Sequence, residues 1–226
     1  MIILLLGAPG AGKGTHAARI ADYTGLPHIS SGALLRGAVE KKTELGVKAK
    51  EYMDKGELVP DEFMLKWIEE LLDDPAYESG IILDGFPRTM PQAEGLDALL
   101  ASKGLSIDLV LLLDIEQDAA ADRLLSRVTC EKCGAIHNLA QQPMKVPGVC
   151  DACGGELSTR ADDVRETIEK RFVEFRKLTA PMIEHYRAGG HFETVNTNRP
   201  VEVVRQEVRD LLDRISGEET SGNAAE

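Results

Sequence analysis

The run Gly7-Ala8-Pro9-Gly10-Ala11-Gly12-Lys13-Gly14-Thr15 follows directly on the apolar stretch Ile2 to Leu6, and its residue types suit one kind of ligand, a polyphosphate. Glycines let successive backbone N–H groups converge on an anion without Cβ interference, at the positive end of the helix that follows. Lys13 extends the cradle to the outer phosphates, and the spacing from Gly7 to Gly12-Lys13 matches the Walker A pattern. A plain glycine-rich turn is the competing reading, against which strand, lysine and helix signals coincide. The residue after the lysine is Gly14, and the hydroxyl arrives only with Thr15. In a generic phosphate loop the residue after the lysine ligates magnesium, so here the metal must rest on phosphates, waters and another side chain. Asp84 is the candidate. It follows the apolar strand Ile81-Ile82-Leu83, and a carboxylate at the carboxyl end of a parallel strand faces the ligand crevice. Magnesium keeps much of its water shell, which suits indirect holding by such a group. Asp84-Gly85 is also an ordinary turn pair. Phe86-Pro87-Arg88 tilts the balance toward a site, because a rigid turn then delivers an arginine beside the acid.

Arg36, Arg88, Arg127, Arg160 and Arg171 lie near element ends or flank a cysteine-containing insertion, and their forks match phosphate oxygens bidentately. A lone arginine is usually a solvated surface group. Beside a phosphate loop, several form the positive clamp of phosphoryl transfer, which needs alignment and charge neutralisation more than a covalent intermediate. The second strong motif is Cys130-Glu131-Lys132-Cys133-Gly134 with Cys150-Asp151-Ala152-Cys153-Gly154. Each C-x2-C sets two thiolates on one tight turn, and two such turns fill a tetrahedral zinc with no open position, so the expected metal is structural. Redox dithiols or two disulfides are the alternatives. His137 is close enough in sequence to be a ligand but is superfluous. His16, His28, His185 and His191 are expected to be structural.

The elements that must position these groups alternate. Strands are expected at Ile2 to Leu6, Leu26 to Ser30, Gly80 to Leu83, Leu109 to Leu113 and Phe192 to Val195. Helices are expected at Lys13 to Tyr23, Gly32 to Lys42, Leu45 to Lys55, Phe63 to Leu72, Pro91 to Leu100, Glu116 to Arg127, Asp163 to Arg187 and Val201 to Ile215. Ser30 or Ser31 caps the helix that follows it, and Asp61 the one after Pro60. Such alternation implies an α/β fold, a parallel sheet covered on both faces. The rhythm breaks between Val128 and Asp163, too short a segment to build a large core unaided, and residues 217–226 are polar with an expectation of disorder. The 226 residues carry 26 Lys+Arg against 38 Asp+Glu, a net charge of −12 that repels nucleic acid and anionic membranes. A polyanion site must then be a local basic cleft. Too few residues precede Gly7 for a signal peptide, and no apolar run approaches the ~18 residues of a membrane span, so a cytoplasmic protein is expected. A zinc-ribbon nucleic-acid-binding ATPase is a competing class, disfavoured by that charge and by 4% aromatics; a nucleotide sensor without turnover is a third, disfavoured by the arginines.

With GAPGAGKGT at Gly7 to Thr15, LDGFPRT at Leu83 to Thr89, LSTRADD at Leu157 to Asp163 and the four cysteines, the chain resembles the long, zinc-lid bacterial adenylate kinases from Met1 to about Ile215. The resemblance implies a phosphate-loop core at 1–29, 60–125 and 164–216, a helical nucleoside-monophosphate-binding subdomain at 30–59 and a zinc-binding lid at 126–163. It implies ATP binding by Gly10, Ala11, Gly12, Lys13, Gly14, Thr15, Arg127, Ile136, His137 and Arg199. AMP falls to Ser31, Arg36, Glu57, Leu58, Val59, Gly85, Phe86, Pro87, Arg88 and Gln92, with Gln92 at the adenine edge and Arg160 and Arg171 bridging between the nucleotides. Lys13, Asp84, Arg88, Arg127, Arg160 and Arg171 are the implied catalytic set, magnesium and structural zinc the cofactors, ATP, AMP and ADP the partners, and a monomer the expected state. UMP- and CMP-directed sister kinases are the nearest alternative. Two positions depart from the family pattern: Ala33 stands where many relatives have Asp, and Val128 where many have a second Arg after Arg127. The first is expected to affect helix capping, the second to remove a lid charge.

Overall fold

The computed structural model describes residues 1–222; residues 223–226, the end of the expected disordered tail, lie outside them. In chain order the strands are β1 (Ile2–Gly7), β2 (His28–Ser30), β3 (Ile81–Asp84), β4 (Leu109–Asp114), β5 (Arg127–Cys130), β6 (Ile136–Asn138), β7 (Leu157–Ser158) and β8 (Phe192–Asn196). The α-helices are α1 (Lys13–Thr24), α2 (Ser31–Glu40), α3 (Glu44–Lys55), α4 (Asp61–Leu72), α5 (Met90–Ser102), α6 (Gln117–Leu125), α7 (Arg165–Glu174), α8 (Ala180–Arg187) and α9 (Val201–Gly222).

β1 is apolar throughout because both its faces are covered. Ile2, Leu4 and Leu6 pack with Met64 and Ile68 of α4, Leu96 and Leu100 of α5 and Met182 and Ile183 of α8. Ile3 and Leu5 pack oppositely, with Ala17 and Ile20 of α1 and Val204, Val208 and Leu211 of α9. Each such fully buried aliphatic side chain is worth about 1.5–3 kcal/mol. The resulting parallel sheet has the order β2-β3-β1-β4-β8. Its register sets Leu5 beside Asp84, so the loops after β1 and β3 leave the carboxyl edge side by side. A separate antiparallel sheet, β6-β5-β7, forms the insertion.

Four local expectations are corrected. The helix expected to reach Arg127 ends at Leu125, and Arg127 opens β5, where its partner Asn138 completes a ladder. The single long helix expected from Asp163 to Arg187 carries a π-turn at Phe175–Thr179 between α7 and α8. Pro181 explains the widening, since it has no N–H to give the carbonyl four residues back. Asp61 does not cap α4; its carboxylate accepts from Thr89 Oγ1 at 2.9 Å and Gln92 Nε2 at 2.8 Å, and Pro60 takes the cap position without a side-chain bond. Finally, α9 runs past Ile215 to Gly222 and takes in residues 217–222 of the tail expected to be disordered. Ser30, by contrast, does cap α2, accepting from Ala33 N–H at 3.4 Å, so Ala33 leaves that cap in place.

Candidate active site and metal centre

The left-handed glycines of the phosphate loop are demanded by close approach. Gly10 (φ +85°) lies so near α6 that a Cβ would stand 2.4 Å from the Ala120 carbonyl. Ala11 is fully buried with its methyl in the core, so it offers the site only backbone. Lys13 Nζ donates to the carbonyls of Gly7 at 2.7 Å and Ala8 at 3.0 Å, which folds the lysine over the loop. Burial lowers its pKa to about 7; Asp84 opposes that shift and Arg88, Arg171 and Arg127 add to it.

Asp84, 6% exposed, ends β3 beneath this loop. Its Oδ2 lies 3.3 Å from His28 Nε2 and 3.5 Å from where a Cβ on Gly14 would stand. Burial raises its pKa, but the His28 hydrogen bond and the Lys13 and Arg88 charges outweigh that and hold it below the usual carboxylate range. The carboxylate thus lies on the face of residue 14 where a hydroxyl is missing, a donor set that suits hydrated magnesium.

Arg88 is folded onto its own turn. Its Nε donates to Gly85 O at 2.6 Å and its Nη2 to Ser31 Oγ at 3.3 Å, while Ser31 Oγ donates to Gly85 O at 2.7 Å. Its backbone is gripped from two sides: the N–H donates to Gln92 Oε1 at 2.8 Å, and the carbonyl accepts from Thr179 Oγ1 at 2.9 Å. Gln92, 2% exposed, therefore spends its amide on Arg88 and Asp61 while lining the cleft. Phe86 is 1% exposed in the core and anchors the turn; it does not line the cleft, whereas Gly85, Pro87 and Arg88 do. A cis peptide joins Phe86 to Pro87.

Opposite stand the remaining arginines. Arg127 forms a fork with Asp163, Nε to Oδ2 at 2.7 Å and Nη2 to Oδ1 at 2.5 Å. Arg171 Nη1 donates to Asp162 at 3.0 Å and Asp163 at 3.3 Å. Arg160 Nε donates to Thr129 Oγ1 at 3.2 Å, and burial lowers its pKa to about 9. Arg36 is lowered by burial too. Arg36, Arg127, Arg160 and Arg171 line one cleft of about 2060 Å³ together with the residues Lys13, Asp84, Glu57, Leu58, Val59, Ile136, His137 and Arg199. A single small-molecule site spans about 300–1,000 Å³, so the space suits two ligands. Arg199 also pairs with Glu207 on its outer side. Val128 is 6% exposed and absent from the cleft wall, since β-alternation turns it away from the face that Arg127 and Thr129 share.

The four cysteine sulfurs lie within 4.8 Å of one another. Cys130 and Cys153 are 3.5 Å apart, and Cys133 and Cys150 are 3.8 Å apart. Tetrahedral zinc with bonds of about 2.3 Å wants roughly 3.8 Å between sulfurs, so the donor set fits. Gly134 and Gly154 (both φ +71°) make the turns. The backbone N–H of Cys133 helps bring the Cys130 thiol down to about 7, while the Gly155 N–H on Cys153 is outweighed by the Cys133 and Cys130 thiols, which push Cys153 up to about 12.

A family model described as adenylate kinase matches residues 5–191. The chain belongs to the adenylate kinase family. An adenylate kinase of Archaeoglobus fulgidus is 46% identical over 215 residues, covering 95% of this chain and 99% of that protein. Those of Carboxydothermus hydrogenoformans and Bacillus subtilis are each 44% identical, the first over 214 residues (95% and 100%) and the second over 212 (94% and 98%). Within this adenylate kinase fold, sequence reasoning missed several contributors. Asp162 and Asp163 stood inside the LSTRADD motif that was read only for Arg160; His28, Thr179 and Asp61 carry no local signal at all. Arg123, on α6 and half-buried on the cleft wall with Nη2 on Thr197 O at 2.6 Å, carries no motif to mark it, unlike Arg127 at the start of β5.

Proposed function

We propose that this adenylate kinase transfers the terminal phosphoryl group of ATP to AMP, giving two ADP, with ATP phosphates on the loop Gly10 to Thr15 and AMP on the side of Ser31, Arg36 and Arg88. The observation that carries the reading is the convergence of Lys13, Arg88, Arg127, Arg160 and Arg171 on one cleft large enough for two ligands. The AMP phosphate oxygen is already anionic, so it needs no base; it needs to be held in line with the terminal phosphate. Arg88, fixed at backbone and side chain, holds the acceptor. Lys13 and the Asp-braced forks of Arg127 and Arg171 face the transferred group and its growing charge. Asp84, braced by His28, is the residue to hold magnesium, which when bound neutralises phosphate charge. Cys130, Cys133, Cys150 and Cys153 would hold zinc, which supplies structure to the lid and takes no part in the chemistry. Closing the lid and the α2–α3 flap over both nucleotides excludes the water that would hydrolyse ATP.

The deciding experiment offers ATP with AMP, UMP, CMP or GMP in turn and identifies the products. ADP formation with AMP alone is expected. Efficient use of UMP or CMP instead would reassign the acceptor site.

A further inference from the structure

Neighbours on a strand point to opposite faces, and β6 separates two jobs this way. Ile136 Cδ1 lies 3.3 Å from where a Cβ on Gly14 would stand, so this residue walls the phosphate loop. His137 Nε2 lies 3.4 Å from Cys150 Sγ, so its imidazole serves the cysteine cluster. We propose that His137 is a positioning residue of the metal centre, its Nε2–H donating to the Cys150 thiolate and thereby tying the zinc to the strand that faces the phosphate loop. The proposal rests on the reading of the four cysteines as a zinc site.

Apart from contacts among the four thiols themselves, two other sulfurs take their hydrogen bonds from backbone: Cys130 from Cys133 and Lys132, and Cys153 from Gly155. Cys150 is 1% exposed and receives a side-chain donor from outside both C-x2-C turns. Such outer donors orient a thiolate and spread its charge, and removing one costs about 10–100-fold in metal affinity. His137 is no fifth ligand, because four sulfurs already complete the tetrahedron. It pairs with Val128 across the β5–β6 ladder, so the bond also ties that ladder to the second cysteine turn.

The test uses the full chain loaded with zinc or cobalt(II). His137→Phe keeps a planar ring but no donor, whereas His137→Gln keeps an N–H. Competition with a chromogenic chelator is expected to show zinc held about 10-fold or more weakly in the phenylalanine variant and restored toward wild type in the glutamine variant. The cobalt protein should keep the d–d bands of four thiolates in all three, with a shifted sulfur-to-metal charge-transfer band only in His137→Phe. Unchanged zinc affinity in that variant overturns the proposal, as does a wild-type cobalt spectrum of three sulfurs and one nitrogen. If His137→Phe does not fold, His137→Asn, too short to span the gap, takes its place with the same expected loss. Failure of the wild-type chain to take up either metal at one equivalent would instead overturn the zinc reading itself.

Discussion

Arg88, proposed to hold the acceptor, shows how much of a side chain's behaviour is set before it meets a ligand. Its Nε and Nη2 are committed to Gly85 and Ser31, and its backbone is held by Gln92 and Thr179, so its guanidinium is placed and not searching. Arg88→Ala or Lys13→Ala should lower turnover by about 10²-fold or more, with far-UV circular dichroism unchanged; a steady-state assay of ADP formation at wild-type rates would refute both roles. Lys13 also predicts a proton linkage. Its pKa of about 7 in the folded chain stands below the ordinary 10.5, so between those values the unfolded chain binds more protons and this residue's contribution to stability rises with pH. A phosphate arriving beside Nζ favours the ammonium and reverses the shift. ATP binding above pH 7 should therefore take up protons, and calorimetry in buffers of different ionisation enthalpy should return different apparent heats. Identical heats in every buffer at pH 8 would exclude the linkage.

At the level of elements, the lid is a small antiparallel sheet whose two cysteine turns are closed by glycines of different kinds. Gly134 and Gly154 are needed for their left-handed backbone, but Gly155 is needed for space: a Cβ there would stand 2.8 Å from Cys130 Sγ and 2.6 Å from Lys132 Cβ. Gly155→Ala should weaken zinc binding and lower the melting temperature; an alanine variant that competes for zinc like wild type would show that the turn has slack. The sheet strands were legible because burial on both faces writes continuous apolar runs, as in Ile2 to Leu6 and Leu109 to Leu113. The π-turn was not, since Pro181 announces a disturbance without saying whether the helix breaks, kinks or widens. Nor were the braces of the site. His28 meets Asp84 across 56 residues, and Thr179 meets Arg88 across 91, so neither end carries a sign of the other. Motifs pointed to the groups proposed to do chemistry, and only the fold showed which groups hold them.

For the molecule as a whole, an acidic chain of net charge −12 sets Lys13, Arg36, Arg88, Arg127, Arg160 and Arg171 along one cleft and balances several of them with Asp84, Asp162 and Asp163. Among the described residues no helix is long and apolar enough to cross a membrane. The core is two hydrophobic layers on one sheet, with a smaller cluster of Ala120, Leu124, Ile168 and Phe172 joining α6 to α7 beneath the lid. The lid has no comparable apolar mass, so zinc on its four cysteines, as proposed, would carry much of its stability. Stripping zinc with a chelator should lower the melting temperature and expose the lid to protease ahead of the core; a melting curve unmoved after verified metal loss would contradict the structural role.

Arg127 is the first residue of the lid's first strand, and Asp163 lies between its last strand and α7, so the insertion is clasped at its neck by a pair of its own residues. A segment whose entry and exit fasten to each other is a cassette. Cut just outside those two residues, it should graft onto the core of another member of the family with its fold intact, and chelator competition on the chimaera should return the donor's zinc affinity and not the recipient's.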